Sequence, residues 1–249
     1  MVGQGEGSGK GGRRSSLSGG QRQLRTTVKT GSKRSASSVR WLERQLNDPY
    51  VAASKREGLR SRAAFKLREI DARYNFLKQG QRVIDLGAAP GGWSQVAAER
   101  VKAAGGNGQV VAIDYLSFDA VPGVEIIEMD FTSPGAEDLL KSRLRGRRAD
   151  VVLSDMAAPT VGHAKTDHIR IMGLAETAAA FAVAVLDPGG VFLCKVLQGG
   201  TERDLLDALK RDFKSVRHVK PPASRAESSE LYVLATGFRG RGAALADPA

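Results

Sequence analysis

From Arg82 onward the chain alternates between short, almost wholly apolar runs and longer stretches whose apolar residues recur every third or fourth position. The first pattern marks strands buried on both faces, and the second marks helices with one buried face. Strands are predicted at Val83–Asp85, Val110–Asp114, Val124–Met129, Val151–Asp155 and Val191–Leu197. Helices are predicted near residues 93–104, 134–145, 168–186 and 201–213. Such alternation gives an α/β domain with a mostly parallel sheet and helices on both faces. Two further strands, Val216–Val219 and Leu231–Thr236, complete a seven-stranded sheet. Only Pro221-Pro222 and a polar loop join them. A connection too short for a crossover helix suits an antiparallel last strand.

Ahead of the sheet, Trp41, Leu42 and Leu46 suggest a short amphipathic helix ending at Asp48-Pro49. A basic connector (Lys55, Arg56, Arg60, Arg62) follows, and Ser61 is placed to cap a longer helix. Leu67, Ile70, Tyr74 and Leu77 form that helix's core face, with Lys66 and Glu69 on a polar face. Residues 1–40 show no apolar period at all, only Gly, Ser and Thr with scattered basic residues. They are expected to form a disordered basic arm. Residues 41–238 make one domain and residues 239–249 a flexible tail.

Composition adds a partner to this picture. The 249 residues carry a net charge of +11, and the arm holds +8 of it: three lysines and six arginines against Glu6 alone. That balance points to a polyanion, nucleic acid ahead of membrane. A mobile cationic arm suits long-range capture of RNA phosphates. The single cysteine, Cys194, cannot close an internal disulfide, so a reducing, cytoplasmic compartment is expected. No run approaches the roughly 18 apolar residues of a membrane span, and the N-terminus lacks the apolar segment of a secretory signal. His163, His168 and His218 with that one cysteine make no metal site.

The chemistry gathers at strand ends. After Val83-Ile84-Asp85 comes a glycine loop, Gly87-Ala-Ala-Pro-Gly-Gly92, leading into a helix. A strand, glycine loop and helix bring backbone N–H groups close to a ligand. Ala89 stands where a dinucleotide fold has the glycine that admits a pyrophosphate, and Pro90 removes a donor. A nucleoside cofactor without phosphates fits better. Asp85, Asp114, Asp130 and Asp155 end successive strands, a cluster of negative charge that is costly unless used. Asp114 is positioned to accept from ribose hydroxyls, and Asp130 from an adenine amino group. Lys195 interrupts Val191-Phe-Leu-Cys-Lys-Val-Leu197, an otherwise apolar strand. Burial there would lower its pKa toward general-base range. If neutral it could take a proton; if charged it could stabilise a developing oxyanion. Lys66 beside Glu69, and Glu230 at a strand start, are unremarkable taken singly.

Taken together, five segments resemble the FtsJ-like ribose 2′-O-methyltransferases, in particular the branch acting on a uridine of large-subunit ribosomal RNA. They are Ser61-Arg-Ala-Ala-Phe-Lys-Leu67, Asp85-Leu-Gly-Ala-Ala-Pro-Gly-Gly-Trp93, Leu153-Ser-Asp-Met-Ala-Ala-Pro159, Lys195-Val-Leu-Gln-Gly199 and Ser229-Glu-Leu-Tyr-Val-Leu-Ala-Thr-Gly237. They occur in family order across about residues 45–238; the arm is not covered, and Leu197 replaces a common aromatic. The resemblance implies a Rossmann-like methyltransferase fold with S-adenosyl-L-methionine as cofactor. It implies catalytic roles for Lys66, Asp155, Lys195 and Glu230. It implies cofactor contacts at Gly91, Trp93, Asp114, Asp130 and Asp155. The implied substrate is 23S rRNA within the large ribosomal subunit (50S) or its precursor, acted on by a monomer. A non-catalytic RNA-binding assembly factor would need no lysine in a buried strand, and a nucleotide-dependent oxidoreductase is disfavoured by Ala89 and Pro90.

Overall fold

The computed structural model describes residue 27 and residues 35–159, 161–198 and 203–240. Most of the arm and the tail beyond residue 240 lie outside the described residues. Helix α1 (Ala36–Leu46) begins within the span assigned to the arm, because Ser35 caps it: its hydroxyl accepts from Ser38 N at 3.3 Å. This helix belongs to a unit ending at Asn47, separate from the unit that starts at Asp48.

The structure corrects two local expectations. Asp48-Pro49 does not merely end a helix; it opens α2 (Pro49–Arg56), where a basic connector was expected. Asp48 Oδ1 accepts from Tyr50 N at 3.0 Å, and proline occupies the first turn, where its missing N–H costs nothing. Helix α3 (Ala63–Tyr74) is not capped by Ser61: its N-cap is Arg62, with no side-chain cap bond. The Ser61 hydroxyl is instead buried against Gly92, where a Cβ would come within 2.3 Å of it.

The sheet follows the pattern of the sequence. Strands β1 (Arg82–Leu86), β2 (Gln109–Asp114), β3 (Val124–Glu128), β4 (Ala149–Ser154), β5 (Leu186–Leu197), β6 (Phe213–Val219) and β7 (Glu230–Phe238) form one seven-stranded sheet. Its order is β3-β2-β1-β4-β5-β7-β6. The last strand, β7, runs antiparallel to both neighbours, β5 and β6. Helices α4 (Gly92–Val101), α5 (Ala136–Arg143), α6 (Ala164–Val185) and α7 (Arg203–Asp212) fill the connections. Alternate strand residues feed two cores. Val83, Val110, Leu153 and Leu193 pack with α3 and α4, while Ile84, Ile113, Val152 and Phe192 pack with α5, α6 and α7. Large side chains fully buried in this way contribute about 1.5–3 kcal/mol each. Helix α6 has the length and hydropathy of a membrane span from Lys165 to Val185. Its Met172, Ala175, Ala178, Phe181 and Ala182 are nevertheless buried in the second core.

Candidate active site

Parallel strands all end at one edge of the sheet, and the antiparallel β7 begins at that same edge. In register, Leu197 faces Glu230 and Lys195 faces Tyr232. The C-terminal end of β5 and the first residues of β7 therefore bring Lys195 and Glu230 together. Lys195 shares the parity of Val191 and Leu193, so it points to the α3 face, where Lys66 lies in that helix's first turns.

The side chains form one connected chain of bonds. Lys195 Nζ donates to Asp155 Oδ1 at 2.8 Å and to the Asp155 carbonyl at 2.7 Å. The Tyr232 hydroxyl donates to Asp155 Oδ1 at 2.8 Å. Lys66 Nζ donates to that hydroxyl at 3.0 Å and to Glu230 at 2.7 Å and 2.9 Å. Ser224 donates to Glu230 Oε1 at 2.9 Å. Lys66, Asp155, Lys195 and Glu230 are thus in one network, and Tyr232 links its two halves. Sequence reasoning placed Tyr232 in a strand and gave it no role. The available signal was its spacing: two residues after Glu230, it lies on the same face of the strand.

Electrostatics corrects the expectation for Lys195. Burial alone would lower its ammonium pKa, but the charges of Asp155 and Glu230 and the bond to Asp155 outweigh burial, and the pKa is raised above the ordinary lysine value. For Asp155 burial pushes upward, while Lys195, Lys66 and the bonds from Lys195 and Tyr232 pull harder downward, so it stays ionised. Burial pushes the thiol of Cys194, on the opposite face, up to about 12, which leaves it inert.

Beside this network lies a cavity of about 600 Å³, walled by Gly87 and Ala89, by Tyr115 and Leu116, and by residues 156–159 and α6. Asp114, Asp130 and Asp155 all line it. Asp114 Oδ2 accepts from Ala89 N at 2.9 Å and Oδ1 from Leu116 N at 2.8 Å, so the carboxylate joins the two walls. A carboxylate has about four acceptor sites, which leaves capacity for ligand hydroxyls. Asp130 Oδ1 accepts from Thr132 N and Oγ1, both at 2.8 Å, and these bonds hold its pKa low.

Two expected contact residues are not in the lining. Gly91 forms the turn, with φ +97°, and Trp93 is buried behind it, its Nε1 donating to Ala63 O at 2.8 Å. Asp85 also differs from the other strand-end acids. It lies fully buried beneath α4, Oδ2 accepting from Ser94 at 2.6 Å, and burial raises its pKa to about 7.

Comparison with known proteins places this arrangement. Residues 59–238 match the family model described as FtsJ-like methyltransferase. A protein named Ribosomal RNA large subunit methyltransferase E from Parvibaculum lavamentivorans is 64% identical over 241 residues, covering 94% of this chain and 92% of that protein. One of the same name from Afipia carboxidovorans is 62% identical over 218 residues, covering 88% and 96%. A Plasmodium falciparum crystal structure described as a ribosomal RNA methyltransferase superposes with TM-score 0.65 at 31% identity, covering 73% of this chain and 100% of that one.

Proposed function

The chain belongs to the FtsJ-like methyltransferase family, and on that premise we propose that it methylates the ribose 2′-hydroxyl of a specific uridine in 23S ribosomal RNA. The methyl donor is S-adenosyl-L-methionine, the substrate is the large subunit (50S) or its precursor, and the setting is cytoplasmic ribosome assembly. The reading rests on Asp155, which both lines the cavity and accepts from Lys195. A ligand filling the cavity thus has one end beside the carboxylate to which the lysine donates.

The residues fit such a donor. The cavity has the size of a small-molecule pocket, about 300–1,000 Å³. Asp114 and Asp130 offer carboxylate acceptors for ribose and adenine, and Asp155 offers a negative charge to a sulfonium. When bound, the donor supplies an electrophilic methyl group that requires in-line attack. The protein's task is then to hold a ribose hydroxyl in that line, since positioning supplies much of the rate. A protonated Lys195 orients the hydroxyl and stabilises the negative charge that develops on its oxygen, whose proton passes to solvent as the oxygen–methyl bond forms and the donor's sulfur–methyl bond breaks. Lys66, held by Glu230 and Tyr232, adds a second positive charge beside it.

The test uses undermethylated large subunits from cells lacking the protein, with labelled donor. Label should enter one nucleotide and protect its 3′ phosphodiester from alkaline hydrolysis, the mark of a 2′-O-methyl ribose. Label on a base, or none despite donor binding, would refute the proposal.

A further inference from the structure

Arg60 lies in the basic connector between α2 and α3, where a cation beside an RNA-processing site suggests a phosphate contact. Its guanidinium is engaged otherwise. Nη1 donates to Asp119 O at 2.8 Å and reaches Pro90 O at 3.5 Å, and Nη2 donates to Ala120 O. Its backbone is fixed as well: Arg60 N donates to Gln95 Oε1 at 3.1 Å, while Gln95 Nε2 donates to Gly58 O at 2.9 Å. The aliphatic stem packs on the glycine loop so closely that a Cβ at Gly91 would come within 3.0 Å of Arg60 Cδ.

The three acceptors belong to two different segments. Pro90 follows Ala89, which lines the cavity; Asp119 and Ala120 close the loop that begins with Tyr115 and Leu116, which form another part of the wall. Asp114 joins the same two segments from inside, through Ala89 N and Leu116 N. Arg60 joins them from outside. A planar fork with donors on two nitrogens can bridge two carbonyl-bearing loops, whereas an ammonium acts as a point donor.

We propose that Arg60 is a positioning residue for methyl-donor binding, bracing the glycine loop against the loop after β2, and not an RNA-phosphate contact. This deepens the assignment of the cavity to the methyl donor and rests on it.

Arg60→Lys and Arg60→Met are compared with the unsubstituted full-length protein. S-adenosyl-L-methionine binding is measured by calorimetry without RNA, and RNA binding by salt titration. Loss of charge-assisted bonds predicts donor binding weaker by about tenfold or more in both variants. The donor KM should rise while kcat at saturating donor stays within a few-fold, a split that general loss of folding would not produce. Arg60→Lys should keep its RNA affinity and salt slope. Wild-type donor affinity in both variants would overturn the proposal, as would a salt slope in Arg60→Met shallower by about one phosphate with donor binding intact. Failure of the unsubstituted protein to bind the donor would bring down the cavity assignment itself, and this proposal with it.

Discussion

Lys195→Met removes the ammonium and keeps most of the apolar stem, and it separates the proposed role in catalysis from the ion pair with Asp155. The ammonium makes bonds of 2.7 and 2.8 Å to the Asp155 carbonyl and carboxylate, with the side chain 9% exposed. Deleting it leaves a largely buried carboxylate with the Tyr232 hydroxyl as its remaining partner in this network. Breaking a buried pair from one side costs about 3–5 kcal/mol. For a domain of this size that lowers the melting temperature by roughly 10 °C. The rate should fall by about 10²–10⁴-fold, the range for a lost acid–base or charge-stabilising group, equivalent to about 3–5 kcal/mol of barrier. The assay is single-turnover methylation of undermethylated large subunits at saturating donor, well below the variant's melting temperature, with donor affinity measured separately. Lys195→Arg supplies the control. It restores a cation to Asp155 and should recover much of the lost stability, yet stay nearly as slow, because a guanidinium has the wrong shape for a point charge on the hydroxyl. If Lys195→Arg regains the rate together with stability, or if folded Lys195→Met methylates at near wild-type rate, the lysine is structural and the mechanism fails.

Asp114→Ala should weaken donor binding by about tenfold to a hundredfold, because it loses both a ligand acceptor and the tie between Ala89 and Leu116; unchanged affinity in calorimetry would mean that the pocket lies elsewhere. Asp85 titrates near 7 when folded and near 3.8 when unfolded, so the stability it contributes is complete below the unfolded value and disappears as pH rises through about 7. Between pH 4 and 7 the wild type should therefore lose roughly 1 kcal/mol per pH unit that Asp85→Asn does not lose, and parallel melting profiles for the two proteins would disprove this. Deleting residues 1–34 should weaken RNA binding and flatten its salt dependence while leaving single-turnover methylation at saturating RNA nearly intact. A collapse of that rate would assign the arm to chemistry.

The order and type of the strands were legible because fully buried strands write themselves as apolar runs, and each of the seven begins or ends within a few residues of its expected place. The largest discrepancies are at β5, which starts at Leu186, and β6, whose Phe213 was assigned to the preceding helix. Helix α2 was missed although Asp48-Pro49 spells a cap and a first turn, because the same dipeptide also reads as the end of α1. Lys195 was legible as an anomaly from its strand alone. Its charge state was not. Burial is a property of the strand, but Asp155 and Glu230 reach Lys195 only through tertiary pairing, and their attraction reverses the sign of the shift. Tyr232 shows the same limit: its spacing from Glu230 puts it on that residue's face of the strand, but only tertiary pairing brings its hydroxyl to Lys66 and Asp155.

That reversal bears on how a proton can leave the substrate. In the free protein the network holds two ammonium groups against two carboxylates, so its charges balance around the Tyr232 hydroxyl. Asp155 is the member that also faces the cavity. A cationic ligand beside it would compete for the same carboxylate, and the attraction that raises the Lys195 pKa would fall by the share the ligand takes. Burial, which acts in the opposite direction, would be unchanged. The lysine would then bind its proton less tightly with the donor in place than without it. Because both effects pass through one carboxylate, Asp155 is the residue through which occupancy of the cavity can set the acidity of Lys195.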